Sequence, residues 1–246
     1  MTDALLTYDH CLIDARADLA KQITPWIDNP NVQRLQLFLL YFIARQLRFA
    51  QEVASIHHHA GHRSQRLGYP YAAKFLLSRV QFDWERQHLL TSDLQNLLDL
   101  LNRDMKKHIT KRRLMRMVLT QVAREFQGFY RGIGKSKEPY QQLAMDYEIH
   151  RGLVIHGTVL IQLCQQALSF DVMKMLKSVR AEANGARQLN QIYRQALVEF
   201  LQRNSQTLPN LIRAGIAGVQ HYQRFLQDCY LQTEANARLQ MSTVES

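Results

Sequence analysis

The amino-acid sequence predicts an all-α protein, a single helical-bundle-like domain of about seven or eight helices. Apolar residues recur at spacings of three and four along most of the chain, with little of the alternation that is typical of half-buried strands. Helix breakers are few, because the 246 residues include only 10 Gly and 5 Pro. The hydrophobic fraction of 46% is enough for a core and too high for a disordered chain.

Proline and capping residues predict where the first helices begin and end. The first helix should span residues 3–23 and end before Pro25, because proline disfavours the helical conformation in the residue that precedes it. Asn29-Pro30 is typical of an N-cap followed by the first residue of a helix, here continuing to about His59. We expect residues 61–68 to form a connection.

The middle of the chain carries three further start signals. Pro70 should open a helix that runs to about residue 90. Residues 92–95 match a capping box, in which Ser and Gln side chains bond to free backbone N–H groups, and so predict a new helix there. Thr110 is expected to cap a helix over residues 111–131.

The last third of the sequence predicts one loop and three helices. Residues 132–139 contain two glycines, two lysines and Pro139, and they are the clearest loop signal in the chain. Helices should follow over about residues 140–168, from Asp171 to about residue 204, and from Pro209 onward. We expect one domain over residues 1–240 and a polar tail over residues 241–246.

The sequence favours a soluble, cytoplasmic protein. Its longest apolar stretch, residues 35–44, is shorter than the roughly 20 residues that a membrane span requires. The first residues lack the basic and apolar regions of a signal peptide. The three widely separated cysteines form no CxxC pair, which favours a reducing compartment.

The positive charge of the protein is concentrated in one segment. The formal net charge is +10, and residues 103–137 alone contain 11 basic residues against two acidic ones, a balance of +9. Arginine suits phosphate groups because its planar fork can donate two hydrogen bonds at once. This concentration predicts that the segment binds nucleic acid through its phosphates.

Spacing sharpens this prediction. Six side chains follow steps of three or four and would share one face of a helix: Arg113, Arg116, Thr120, Arg124, Gln127 and Arg131. We expect Tyr130 to be exposed beside this face, where it could stack on bases. The predicted nucleic-acid-binding residues are Lys106, Lys107, Lys111, Arg112, Arg113, Arg116, Arg124, Tyr130, Arg131, Lys135 and Lys137. A secondary basic patch is predicted from Arg45, Arg48, Arg63 and Arg66.

Two other readings of the basic segment stay open. A helix face of one charge is often merely solvated, and it can also dock on an acidic protein partner. The leading hypothesis is a non-enzymatic protein that binds DNA or RNA without base-specific readout, as a subunit of a nucleoprotein complex. The sequence leaves open the choice between DNA and RNA, the other members of that complex and whether the chain forms a homo-oligomer.

No catalytic motif is evident, and we expect no cofactor and no bound metal. A Walker loop, a GxGxxG turn, a nucleophile elbow and an HExxH motif are all absent from the sequence. A helical metal-carboxylate oxidase is the third hypothesis, because residues 85–88 supply one Glu-x-x-His, but the nearest partner, Asp146 with His150, has the wrong spacing.

The histidines between His57 and His62 could bind a transition metal. Adjacent histidines on a helix point in different directions, so only His58 and His62 would share a face. They would do so only if the helix persists past Gly61. The sequence leaves this question open.

Overall fold

The computed structural model describes residues 3–23, 31–104, 109–169, 174 and 176–242. Within these residues there are nine α-helices and no β-strand, so the predicted all-α class is confirmed. The helices are α1 (Asp3–Cys11), α2 (Ile13–Ile23), α3 (Val32–Arg66), α4 (Pro70–Asp104), α5 (Lys111–Met117), α6 (Gln121–Lys135), α7 (Gln142–Ala167), α8 (Lys177–Arg203) and α9 (Leu208–Ser242). Short 3-10 helices at Pro139–Gln141 and Ser205–Thr207 precede α7 and α9.

The predicted first helix is two helices that meet at Leu12. The side chain of Leu12 is fully buried. Its backbone N–H donates to the carbonyl of Asp9, and its carbonyl accepts from the N–H of Arg16. This bend lets both α1 and α2 pack on α9. The proposed signals at Pro25 and Asn29-Pro30 lie outside the described residues, and α3 is capped by the side chain of Asn31.

Helix α3 is longer than predicted, because Gly61 does not interrupt it. A Cβ atom on Gly61 would lie 2.7 Å from Cγ of Leu77 and 3.3 Å from the carbonyl oxygen of Ala73, both in α4. Gly61 therefore permits the close approach of α3 and α4, and the helix continues to Arg66. The turn comes at Gly68, whose φ of 83° suits glycine.

Helix α4 is a single helix where the sequence predicted two. The capping box at residues 92–95 is wrong, because α4 runs through these residues without interruption and the Gln95 side chain bonds to Asp99 of the same helix. The neighbouring Asp93 points into the core and caps α8. Its carboxylate accepts from the backbone N–H of Lys177 at 2.8 Å and that of Ser178 at 2.6 Å. Helix α8 is continuous through Gly185, and Asp171, where the sequence predicted this helix to begin, lies outside the described residues.

Buried side chains from all nine helices join in one apolar cluster. Helix α3 packs along the length of α4, α7 packs against α8 and α9, and α9 also contacts α3. None of the described helices is both long and apolar enough to traverse a lipid bilayer.

Candidate functional site

Exposed basic side chains are concentrated on α5, α6 and the turn that follows. Helix α5 begins at Lys111 and is capped by Thr110, as predicted. Eight side chains, here called the basic surface, are exposed: Lys111, Arg112, Arg113, Arg116, Arg124, Arg131, Lys135 and Lys137. The one acidic side chain exposed between residues 111 and 137 is Glu125. The predicted residues Lys106 and Lys107 lie outside the described part of the chain.

The predicted single face of six residues is wrong, because the helix is broken after Met117. Thr120 caps α6 by accepting from the N–H of Ala123, and its hydroxyl donates to Asp228 of α9 at 2.5 Å. Gln127 is buried and donates to the backbone carbonyl of Arg48. Arg113 and Arg116 therefore lie on a different helix from Arg124 and Arg131.

Most of the basic surface has no carboxylate partner. Arg131 pairs with Glu52 of α3, and Arg124 donates to the backbone carbonyl of Leu119 at 3.0 Å. The other six cations form no ion pair with any residue that the structure describes: Lys111, Arg112, Arg113, Arg116, Lys135 and Lys137. Their charge is therefore available to an external anion.

The predicted loop at residues 132–139 is largely helical, because α6 continues to Lys135. Gly134 is buried, and a Cβ atom there would lie 3.0 Å from the side chain of Ile56 in α3. Ser136 closes the helix and accepts, through its backbone carbonyl, a hydrogen bond from Nε of Arg63. The lysines at 135 and 137 are thus held close to α3 by an ordered turn.

The prediction of a secondary basic patch is wrong, because its four residues do not form an exposed surface. Arg45 is 2% exposed, and its guanidinium lies 2.5 Å from the carboxylate of Asp228. Arg48 is half-buried, and Arg63 is bonded to the Ser136 carbonyl. Arg66 is the one member of this set whose side chain is exposed.

Tyr130 was expected at the surface and is buried instead. The other face of α6 carries Phe126 and Ile133 into the core, and Tyr130 lies on that face. Its ring packs edge-on against Phe49 with 4.7 Å between the centroids. Its hydroxyl bonds to a group of buried polar side chains that the sequence analysis did not identify. Tyr130 cannot stack on a base in this fold.

That group, here called the buried polar cluster, consists of His57, Asp83, Tyr130, Gln142 and Asp146 and joins α3, α4, α6 and α7. The imidazole of His57 lies between two carboxylates, with Nδ1 2.6 Å from Oδ2 of Asp83 and Nε2 2.9 Å from Oδ2 of Asp146. The other oxygen of Asp146 accepts from the Tyr130 hydroxyl at 2.5 Å and from the Gln142 amide at 3.0 Å.

The two carboxylates keep His57 protonated. Burial alone would lower the pKa of His57, but attraction to Asp146 and Asp83 outweighs it and raises the pKa to about 10. Burial opposes ionisation of Asp146 too, yet His57 and the bonds from Tyr130 and Gln142 hold the Asp146 pKa below its ordinary value. The cluster is therefore an imidazolium held between two carboxylates.

A cavity of about 30 Å³ adjoins this cluster. Its polar wall includes Arg86, Asp146 and His150, and its apolar wall includes Phe126 and Phe225. His150 is neutral, because burial and the nearby Arg86 and Arg79 lower its pKa to about 3. The volume is enough for a water molecule and too small for an organic substrate. The cluster can hold a proton and link four helices by hydrogen bonds. Its geometry shows no site for a reacting molecule.

The metal-carboxylate hypothesis does not fit the structure. Glu85 and His88 are exposed, whereas Asp146 is buried and bonded to His57. No three His, Cys, Asp or Glu side chains of the described residues converge in a way that could hold a metal ion. A di-metal centre requires six such ligands.

A signal for the buried polar cluster was present in the sequence. Asp146 lies in the second turn of α7, between the apolar residues Met145 and Tyr147, and residues 142–149 are all buried. A carboxylate in such a stretch requires a buried partner, because an unpaired buried charge is costly. The sequence could not identify that partner, since His57 and Asp146 are 89 residues apart.

Comparison with known proteins identified no matching family, no similar curated protein and no similar solved structure. The function is therefore inferred from the residues of this chain alone.

Proposed function

We propose that this protein binds nucleic acid through the phosphate groups, using the basic surface of α5 and α6, as a non-enzymatic member of a cytoplasmic nucleoprotein complex. The observation that carries the proposal is the set of six exposed cations that no described carboxylate neutralises. A concentrated field of one sign attracts polyanions and releases their condensed counterions on binding.

The surroundings of the basic surface favour binding without base readout. Tyr130 and Phe126 are buried and Phe129 is half-buried, so these aromatic rings of α6 offer no open stacking platform. Helix α5 has seven residues and is too short to present a long row of side chains to a groove. Contacts to phosphate, which carry little sequence information, are what such a surface can make.

The cytoplasmic part of the proposal is supported by the cysteines. All three are free thiols, with Cys11 exposed and Cys164 and Cys229 buried. Secreted and extracellular proteins carry disulfides more often than cytosolic proteins do.

The test is a fluorescence anisotropy titration with single- and double-stranded DNA and RNA at 50 and 200 mM salt. The triple variant Arg112→Ala, Arg113→Ala, Arg116→Ala removes three unpaired cations of α5. We expect weaker binding to all sequences alike, with the slope of log K against log salt on duplex DNA smaller by up to about 2.7, or about 0.9 for each lost phosphate contact.

A matched control distinguishes loss of charge from the basic surface from a general decrease in net charge. The variant Lys74→Ala, Arg180→Ala, Arg187→Ala removes three exposed cations from α4 and α8 and should leave most of the affinity in place. Glu125→Gln removes the one exposed acidic side chain between residues 111 and 137 and should strengthen binding. Equal losses in both triple variants, or no binding by the parent protein, would contradict the proposal, and co-purification of a stoichiometric acidic protein would favour an adaptor.

A further inference from the structure

Two histidines on the exposed side of α3 lie one helical turn apart. Because Gly61 packs against α4 without interrupting α3, the helix passes through residues 58–62 in regular form. Side chains at positions i and i+4 lie on the same face of a helix. His58 and His62 are both exposed.

The ring nitrogens of this pair converge. Nε2 of His58 lies 3.2 Å from Nε2 of His62, and the two rings are steeply inclined, with 4.5 Å between centroids and 73° between planes. Neither ring has another hydrogen-bond partner among the described residues. The neighbouring histidine differs, because Nδ1 of His59 is 2.6 Å from the backbone carbonyl of Ser55.

The distance between the two Nε2 atoms matches the distance between two nitrogen ligands of one metal ion. Zinc lies about 2.0–2.1 Å from histidine nitrogens, so two nitrogens 3.2 Å apart subtend an angle of about 100–106° at the ion. The tetrahedral angle is about 109°, and zinc in proteins is usually tetrahedral. The two nitrogens are therefore already at a chelating distance, and each ring has to rotate until its Nε2 lone pair points at the ion.

We propose that His58 and His62 together bind a divalent transition-metal ion through their Nε2 atoms, with water in the remaining positions. Neutral imidazole is a good ligand for Zn²⁺, Cu²⁺ and Ni²⁺, and Mg²⁺ and Ca²⁺ prefer oxygen. The described residues provide no third ligand, so the site keeps open positions, and Cu²⁺ should bind more tightly than Zn²⁺ or Ni²⁺. This inference is independent of the proposed nucleic-acid binding.

Formation of the site also requires that the proton between the two nitrogens move to Nδ1 of the ring that carries it. In the metal-free state the 3.2 Å contact is an N–H···N hydrogen bond, with one Nε2 as donor. The metal uses the lone pairs of both Nε2 atoms, so the donor ring takes the tautomer that carries its proton on Nδ1. Arg63, the nearest cation along the helix, is bonded to the Ser136 carbonyl.

The experiment is isothermal titration of tag-free protein with CuCl₂, ZnCl₂ and, as a control ion, MgCl₂. We expect one equivalent of Cu²⁺ and of Zn²⁺ to bind and Mg²⁺ to give no saturable heat. His58→Gln and His62→Gln should each lower the affinity by at least about 100-fold, the upper end of what is lost when a residue that only orients a ligand is changed. His59→Gln, one residue away, should leave the affinity unchanged.

A spectroscopic readout identifies the ligands directly. The electron paramagnetic resonance spectrum of the Cu²⁺ form should show coupling to two imidazole nitrogens, reduced in either single variant. All three positions tested are exposed, so circular dichroism should show the same fold throughout. Absence of saturable Cu²⁺ binding, or its survival in the double variant His58→Gln, His62→Gln, would overturn the inference.

Discussion

Nε2 of His57 and Oδ2 of Asp146 lie 2.9 Å apart in the interior, where both side chains are nearly inaccessible to solvent. The contact joins α3 to α7, and Asp83 of α4 contacts the other ring nitrogen of His57. Buried ion pairs contribute little net stability compared with apolar packing, but removing one partner leaves an unpaired charge. This asymmetry determines how variants of the cluster should behave.

The first prediction concerns Asp146. Asp146→Asn should lower the free energy of unfolding by about 3–5 kcal/mol in urea at pH 7, because His57 loses one of its two counter-charges. The milder Tyr130→Phe should cost about 1–3 kcal/mol, since one hydrogen bond to the same carboxylate is lost. Asp99→Asn, an exposed carboxylate of α4, should change stability by less than about 0.5 kcal/mol. A loss below 1 kcal/mol for Asp146→Asn would show that the pair is not formed.

The second prediction concerns alkaline pH. The pKa of His57 is raised from about 6.5 when unfolded to about 10 when folded, so the folded state binds one more proton between these values. The contribution of His57 is therefore full below pH 6.5 and is lost as pH rises toward 10, with a slope of up to about 1.4 kcal/mol per pH unit. Urea denaturation of the parent and of His57→Gln at pH 6, 7, 8 and 9 tests this, and parallel pH curves would refute it.

The third prediction concerns acidic pH and His156. This side chain packs against the rings of Phe38 and Phe42, and burial lowers its pKa to about 4. The unfolded chain therefore binds more protons below pH 6.5, and stability falls as pH decreases toward 4. His156→Leu should flatten the fall by up to about 1.4 kcal/mol per pH unit. Thermal unfolding between pH 4 and 7 measures this, and the exposed His88→Gln is the control.

The fourth prediction concerns the pair of Arg45 and Asp228, which fastens α3 to α9. Asp228→Ala should cost about 3–5 kcal/mol because the buried guanidinium loses its counter-charge. The double variant Arg45→Met, Asp228→Leu should recover much of that loss, since apolar packing replaces both charges. Asp18→Ala, which removes the exposed pair with Lys21, should cost at most about 0.5 kcal/mol. Failure of the double variant to exceed Asp228→Ala in stability would contradict this account.

The fifth prediction compares two glycines within helices. Gly61→Ala should destabilise the fold by about 1–2 kcal/mol, because the clash with Leu77 outweighs the better helix propensity of alanine. Gly128→Ala in α6 meets open space and should stabilise it by about 0.5–1 kcal/mol. Thermal unfolding of both variants at pH 7 compares them, and equal shifts would show that α3 and α4 are not in close contact at Gly61.

Local signals in the sequence were sufficient for much of the fold. Pro70 and Thr110 mark helix starts as predicted, because their effects depend on their own backbone and side chain. Asp93 shows where this reasoning fails. It stands between the Ser and the Gln of a capping-box pattern that starts no helix, because α4 passes through it without interruption. Its carboxylate caps α8 instead, 84 residues away.

The candidate site was predictable only in part. Exposure of the arginines at 112, 113 and 116 follows from charge, and the structure places these side chains at the surface. Tyr130 and Arg45 were predicted at the surface and are buried. Tyr130 bonds to Asp146, and Arg45 pairs with Asp228, in each case on a helix distant in sequence. Composition and spacing describe one helix at a time, whereas burial of a polar group depends on which helices meet.

The attachment of α1 and α2 to α7 has a consequence for synthesis of the chain. Tyr8 and Arg16 both bond to the buried carboxylate of Glu148, and Tyr8 precedes it by 140 residues. At about 5–20 residues per second, the ribosome adds Glu148 some 7–28 s after Tyr8. Helices α1 and α2 therefore emerge before α7 and complete these contacts only after residue 148 has been made.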